Sequence, residues 1–206
     1  MSKSPFNPDN QHESTSHKVV VALERISEAF RVLLWNEGKV HGLSPIQIQV
    51  LIFLKYHSQE KCKVSYLADE FNMTRATISD TVKALLKKKL ITKEPEPDDA
   101  RSFTIHLTTR GASVAEETEQ FTREILIAVE NMNPESKALL FSGLTDIIHH
   151  LNKAGIITVQ RMCQTCLYYR KNHMGAEHFC ELLNKKLEST ELRLDCPEHE
   201  LISLEQ

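Results

Sequence analysis

Four cysteines crowd between residues 163 and 196: Cys163-Gln164-Thr165-Cys166, Cys180 and Cys196, the last opening Cys196-Pro197-Glu198-His199. A reducing compartment keeps thiols reduced, so cysteines this close together bind metal more readily than they form structural disulfides. The Cys-x-x-Cys spacing lets two sulfurs reach one ion, and four thiolates match the tetrahedral preference of structural zinc. Zinc on Cys163, Cys166, Cys180 and Cys196 is therefore the expectation, with an iron–sulfur cluster or a redox-sensing thiol site as the alternative. His173, His178 and His199 stand in reserve as ligands. The second half of the pattern is Cys-x15-Cys, not another Cys-x-x-Cys, which leaves the motif incomplete as a zinc ribbon. Cys62 stands apart and reads as a buried or idle thiol, although a helix N-terminus beside it would lower its pKa. His149 and His150 are adjacent on one helix, do not share a face, and are not expected to form a joint site.

A zinc hydrolase or deaminase needs an open coordination position and a general acid/base, such as the Glu of His-x-Glu ahead of Pro-Cys-x-x-Cys. The chain contains no His-x-Glu, no glycine-rich phosphate loop and no Gly-x-Ser-x-Gly. The expectation is that it is not an enzyme.

The second chemistry is electrostatic. The net charge of the 206 residues is −3, yet residues 61 to 93 carry eight Lys or Arg against three Asp or Glu, while residues 181 to 206 carry three against seven. Affinity for phosphate follows the field within about 8 Å at physiological salt, so a basic segment works beside an acidic tail.

The elements that would position these groups follow from periodicity. Val64, Leu67, Ala68 and Phe71 form a helical stripe, and only Asn72 and Met73 separate it from Thr74, which suits an N-cap. Ile78, Val82, Leu85 and Leu86 then share one face of a second helix. Its opposite side gathers Ala76, Thr77, Asp80, Lys83 and Lys87, a surface that suits the major groove of B-DNA. Ile91 to Lys93 and Phe103 to Leu107 suit the strands of a hairpin. Its tip, Pro95 to Arg101, holds two prolines expected to keep it out of regular pairing, and places Arg101 for the sugar-phosphate backbone or the minor groove.

The runs Leu67-Ala68-Asp69, Thr77-Ile78-Ser79, Lys88-Lys89-Leu90-Ile91, Asp99-Ala100-Arg101-Ser102 and Leu107-Thr108-Thr109-Arg110-Gly111 resemble the MarR family of bacterial transcription regulators. The resemblance covers residues 17 to 152 and is most specific in the Asp-x-Arg wing and the Leu-Thr-x-x-Gly that follows. Asp80 sits where members often carry a basic residue, and Lys89 replaces the usual glycine before Leu90. The tail pattern Cys-x-x-Cys…Cys…Asp-Cys-Pro-Glu-His is similar to tails on some MarR-like proteins. The resemblance implies a homodimer, more often a repressor, that binds a double-stranded DNA operator, with a possible small-molecule effector in a cleft beside the dimer helices. Candidate base-reading residues are Thr74, Arg75, Ala76, Thr77, Ser79, Asp80 and Lys83. Lys61, Lys63, Lys87, Lys88 and Arg101 are candidate phosphate contacts.

The expected fold is mainly α (α+β), a winged helix-turn-helix over about 44–108 between long dimerisation helices at 17–37 and 112–153. Residues 17–154 form the MarR-like domain, 155–206 a small Cys-rich metal-binding extension, and 1–16 a polar, disordered arm with no signal peptide or membrane span, which places the protein in the cytoplasm. In the first long helix Gly38 is expected just past the end, with Trp35 packing there. Ser44-Pro45 opens the next helix, whose buried side is Ile46, Val50, Leu51, Phe53 and Leu54. Later helices run from about Ala112 to Met132 and from Glu135 to Lys153, with a break at Asn133-Pro134. In the tail, Phe179, Leu182, Leu183, Leu187, Leu192 and Leu194 are the candidate core, too small to stand without a staple. A zinc-dependent enzyme and a winged-helix protein-interaction module remain as further alternatives.

Overall fold

In the computed structural model the described residues are 4–96 and 99–202, with the backbone alone for 11–13 and 99–101. Among them are seven helices, α1 (Thr15–His41), α2 (Pro45–Tyr56), α3 (Val64–Glu70), α4 (Arg75–Lys87), α5 (Thr109–Thr118), α6 (Arg123–Glu130) and α7 (Pro134–Lys153). Strands β1 (Ile91–Glu96) and β2 (Asp99–Leu107) pair antiparallel, and β3 (Tyr169–His173), β4 (Ala176–Cys180) and β5 (Lys185–Leu187) form a second antiparallel sheet in that order. The succession α3, turn, α4, hairpin is that of a winged helix-turn-helix. No helix among the described residues is long and apolar enough to cross a membrane. By contact the chain divides into two compact units, Met1–Tyr56 with Thr81–Glu124, and His57–Asp80 with Ile125–Gln206.

In the first unit, α2 packs on α1, α5 and β2. Its core holds Leu34, Ile48, Leu51, Val82, Leu85, Ile91, Ile105 and Ala115, all buried. Three expectations for α1 change. The helix starts inside the stretch read as an arm: Asn7 caps a 3-10 turn over Pro8–Glu13, and the Ser14 hydroxyl accepts the His17 N–H. The Asn and Ser of that polar stretch act as caps, which composition alone reads as disorder. At the other end α1 runs through Gly38 to Gly42, whose φ of 62° makes it the left-handed stop. Gly38 serves a close approach instead, since a Cβ there would lie 2.4 Å from the Leu43 carbonyl oxygen. Trp35 consequently sits within the helix, 54% exposed, and not packed at its end.

Lys89 replaces a glycine and yet ends α4 as a glycine would. With φ at 58° it donates its N–H to the Leu86 carbonyl, and Leu90 donates to the Leu85 carbonyl. Those two bonds form a Schellman motif, sealed by the buried Leu85 and Leu90. The following Leu-Thr-x-x-Gly also gains a physical reading. Thr108 donates its hydroxyl to the Leu90 carbonyl and accepts the Gly111 N–H, capping α5. A Cβ on Gly111 would lie 1.9 Å from that same Leu90 oxygen, so only glycine lets α5 come this close.

The hairpin pairs further out than expected. Pro95 lies opposite Phe103 within the ladder, and the register shifts between Pro95 and Glu96, where the missing N–H is absorbed by a bulge. The one helix expected over 112–132 is two, α5 and α6, joined by a 3-10 turn over Glu119–Thr122. Thr118 bonds back to the Val114 and Ala115 carbonyls, and Thr122 to Glu119, competition that tightens and bends a helix.

The second unit contains α3, α7 and the tail. Asn133 caps α7 by accepting the Ser136 N–H, with Pro134 at the first helical position. The three tail strands have no counterpart in the sequence reading. The β3–β4 turn is Met174-Gly175 with both φ positive, the two-residue geometry that matches strand twist. Of the six expected tail core residues only Phe179 and Leu192 are buried, joined by Met162, whereas Leu182, Leu183 and Leu194 are exposed.

Lys89→Gly should raise stability by about 1 kcal/mol, because the left-handed conformation no longer costs a Cβ. Gly111→Ala should lower it by about 3 kcal/mol through a backbone clash. Urea unfolding measures both, and a destabilised Lys89→Gly or a neutral Gly111→Ala contradicts these assignments.

Candidate nucleic-acid interface and thiol module

The turn between α3 and α4 is closed by a second Schellman pair. Asn72, φ 50°, donates its N–H to the Asp69 carbonyl, and Met73 donates to Ala68. Thr74 then caps α4 as expected, accepting the Thr77 N–H at 3.1 Å, with its hydroxyl 2.9 Å from that of Thr77. Ile78, Val82 and Leu85 are fully buried. Thr74, Arg75, Ala76, Thr77, Asp80, Lys83 and Lys87 are all exposed, and Ser79 is half-buried at the edge of that face. The helix thus presents short polar and cationic side chains on a rigid, capped support. Lys61 and Lys63 are half-buried, and Lys88 gives its ammonium to the Gly42 carbonyl at 2.9 Å, which ties it to the end of α1.

In the wing, Lys93 stacks its ammonium 3.7 Å from the centre of the Phe103 ring, and Glu96 accepts a hydrogen bond from Thr104. The backbone of Arg101 belongs to β2; its side chain lies outside the described residues, as do Pro97 and Asp98.

All four tail cysteines line one cavity of about 170 Å³, walled on its other sides by Tyr169, Leu183 and Leu187 among others. Cys166 donates its N–H to the Cys163 carbonyl, and His199 to the Cys196 carbonyl, so both segments turn tightly after their first cysteine. Cys180 closes β4. Burial pushes the Cys163 thiol up, the backbone N–H of Arg193 on its sulfur opposes this, and Cys196, Cys166 and Cys180 nearby push it further up. Among the described residues no three His, Cys, Asp or Glu form a group that could hold an ion as they stand. The donor set nonetheless fits a soft cation, which would replace four thiol protons and relieve thiolate repulsion. The reserve histidines are spent elsewhere. His199 Nε2 is 3.0 Å from the Thr165 hydroxyl, His178 meets the Tyr169 hydroxyl and Ser189, and His173 packs edge-on against Phe179. His149 has its pKa lowered by burial. Cys62 is 1% exposed with its thiol pushed up by burial and its sulfur 3.4 Å from the Ser58 carbonyl, so the buried-thiol reading holds and activation by a helix end does not.

The sequence reading missed the most connected group in this unit. Arg161, 8% exposed, donates to both carboxylate oxygens of Glu70 at 2.6 and 3.1 Å and to both of Asp195 at 2.6 and 2.9 Å. It also donates to the Tyr66 hydroxyl at 3.0 Å, and His57 Nε2 lies 2.9 Å from Asp195. The planar guanidinium fork suits two carboxylates at once. Burial disfavours the charge on Arg161, but its bonds to Asp195 and Glu70 more than compensate and raise its pKa. In return the Arg161 hydrogen bond pulls Asp195 down to about 2. The available signal was an arginine inside Ile156-Ile157-Thr158-Val159-Gln160-Arg161-Met162, an otherwise uncharged run leading into the first cysteine.

Residues 41–102 match the model of the MarR family. The chain is 24% identical over 144 residues to the HTH-type transcriptional repressor YetL of Bacillus subtilis (strain 168), over 68% of this chain and 84% of that protein. It is 28% identical over 115 residues to the uncharacterized HTH-type transcriptional regulator YdgJ of the same organism, over 54% and 67%. In fold it is similar to S. aureus MepR in a DNA complex, with a TM-score of 0.58 and 23% identity over 64% of this chain and 97% of that one. It is also similar to Streptococcus pneumoniae FabT in complex with DNA, with a TM-score of 0.57 and 20% identity over 68% and 99%. The fold is the MarR winged helix, and YetL and YdgJ are named as a transcriptional repressor and a transcriptional regulator.

Because Cys62 is buried with its sulfur against the His57 and Ser58 carbonyls, a thiol reagent should leave it unmodified in native protein and label it only in denaturant. Rapid native labelling, located by peptide mass spectrometry, contradicts the burial described.

Proposed function

We propose, from the match of residues 41–102 to the MarR family and from the winged-helix fold, that this chain is a dimeric transcription regulator, a repressor, that binds a DNA operator. We further propose that its tail holds one zinc ion on Cys163, Cys166, Cys180 and Cys196. The observation that carries the DNA reading is α4: an apolar face buried down to 0% exposure and an outer face of short, polar or charged side chains. Such a helix fits the major groove, with Arg75, Thr77, Ser79, Asp80 and Lys83 nearest the base edges and Lys87 nearest phosphate. Thr74 contributes chiefly by holding the first turn of α4, since its hydroxyl is engaged there. Arg101 is assigned to the wing's backbone contact, and Lys88 to a secondary one.

Dimerisation is supported by apolar side chains left in water. On α6 and α7, Leu126, Leu139 and Leu140 are 54%, 70% and 41% exposed, and on α1 Val19, Ile26 and Trp35 are between 44% and 54% exposed. A monomer does not readily tolerate that much apolar surface. A twofold pair covers it and spaces two α4 helices for half-sites about 34–36 Å apart. The zinc reading is supported by four thiols around one cavity. Cadmium or iron would meet the same sulfurs, so metal identity is read directly.

Selection of duplexes from random DNA, with metal analysis of the same preparation, tests both parts. The expected result is a palindromic site and close to one zinc per chain, lost in Cys163→Ser with Cys166→Ser and kept in His199→Ala. On that site Lys87→Ala or Arg101→Ala should weaken all sequences alike and lower the salt slope by about one. Arg75→Ala should cost about 1–3 kcal/mol and relax preference at one base pair. Failure to enrich any sequence rejects the operator reading, iron in place of zinc favours the redox alternative, and metal-free protein prepared without oxidant rejects every metal reading.

A further inference from the structure

The thiol module and the helix that leads into α4 are joined through one buried side chain. Arg161 is two residues from Cys163, and its carbonyl accepts the Cys196 N–H at 2.9 Å. Asp195, its carboxylate partner, immediately precedes Cys196 and forms a parallel backbone bridge with Arg161. Cys163 in turn donates its N–H to the Arg193 carbonyl at 3.0 Å. Two of the four sulfurs are therefore carried by the same pair of segments that clasp Arg161.

On its other side the guanidinium grips α3 at Glu70 and Tyr66. The approach segment adds two more contacts. Thr158 donates its hydroxyl to the Asp69 carbonyl at 2.6 Å, and the Asn72 amide donates to the Ile156 carbonyl at 3.4 Å. Asp69 and Asn72 are the two residues whose mutual backbone bond makes the left-handed turn out of α3. The same unit also packs α7 against the tail's 3-10 turn at Ser189–Glu191.

We propose that the tail is a cation-responsive regulator of DNA affinity, in which zinc on the four thiols sets the Arg161–Asp195 pair and Arg161 transmits that setting to α3 and the turn into α4. The proposal rests on the DNA and zinc readings above. Without an ion no bond holds the four sulfurs together, whereas a cation would replace their protons and bind all four. Drawing them onto one cation fixes Cys163 against Cys196, and with them the two bridged segments that carry Arg161 and Asp195. Helix α3 then sits on a guanidinium whose position depends on the ion. Such a coupling is a free energy between two sites and must be reciprocal: zinc tightens the duplex by the factor that the duplex tightens zinc.

The test uses the full chain and the selected duplex, with zinc set by a chelator buffer. Duplex Kd is measured with and without zinc, zinc Kd with and without duplex, and amide exchange of residues 64–73 in both states. The expected outcome is a coupling on the order of tenfold, equal in both directions, with slower exchange in α3 when zinc is bound. Arg161→Met should keep one zinc per chain and bring the coupling to about one. Should that variant not fold, Glu70→Gln keeps the Arg161–Asp195 pair, weakens only the grip on α3, and should reduce the coupling. One zinc per chain with duplex Kd and α3 exchange unchanged on its removal overturns this inference and leaves the zinc site standing. Undiminished coupling in Arg161→Met or Glu70→Gln overturns the route through Arg161. No zinc binding at all overturns the zinc reading and this inference together, and no selected duplex overturns the operator reading with it.

Discussion

A guanidinium that is 8% exposed has to find its partners inside the protein, and Arg161 finds them on two segments that are far apart in sequence. An uncompensated buried charge costs several kcal/mol, so Glu70 and Asp195 are held to Arg161 as firmly as it is held to them. Sequence separations of 91 and 34 residues are closed by this one side chain. Together with the Thr158–Asp69 and Asn72–Ile156 hydrogen bonds it joins α3 to the cysteine tail within one compact unit. A tail attached by a plain linker would leave the helix-turn-helix indifferent to it.

The support of α4 is a sequence of small local solutions. Non-glycine residues, Asn72 and Lys89, take the left-handed position at the ends of α3 and α4. Asn tolerates that conformation, whereas for Lys89 it costs about 1–2 kcal/mol relative to glycine, offset by its paired Schellman bonds and by the buried Leu85 and Leu90. Thr74 and Thr108 cap the helices that follow, and Gly111 lets α5 rest against the carbonyl of Leu90. Of these devices only the Thr74 cap, through its bonds to Thr77, touches the exposed face of α4.

Periodicity made α2, α3, α4 and α7 legible in the sequence, because each carries apolar residues at helical spacing, and Thr74 and Asn133 mark the starts of α4 and α7 as caps. The Leu-Thr-x-x-Gly motif marked the wing's exit before its role as cap and close approach was visible. The length of α1 was misjudged because a glycine near a helix end signals a stop only when its φ is positive; Gly42 satisfies that and Gly38 does not. Thr118 and Thr122 broke the next helix by bonding to carbonyls in their own turn, a competition that an apolar stripe does not register. The tail strands carry Arg, Lys, Asn, His and Glu, so no alternation announced them. The four cysteines were evident from spacing, and their shared cavity agrees with that spacing, but the Arg161 pairings are long-range and no local pattern encodes them.

The account stands on α4 being the element that meets the bases. The most direct measurement is photocross-linking of the full chain to a selected duplex carrying 4-thiothymidine at single positions, with the linked peptides identified by mass spectrometry. Cross-links at central positions should fall within residues 75–87, and those at flanking positions in the wing. Cross-links confined to α7 or to the cysteine tail would contradict the account.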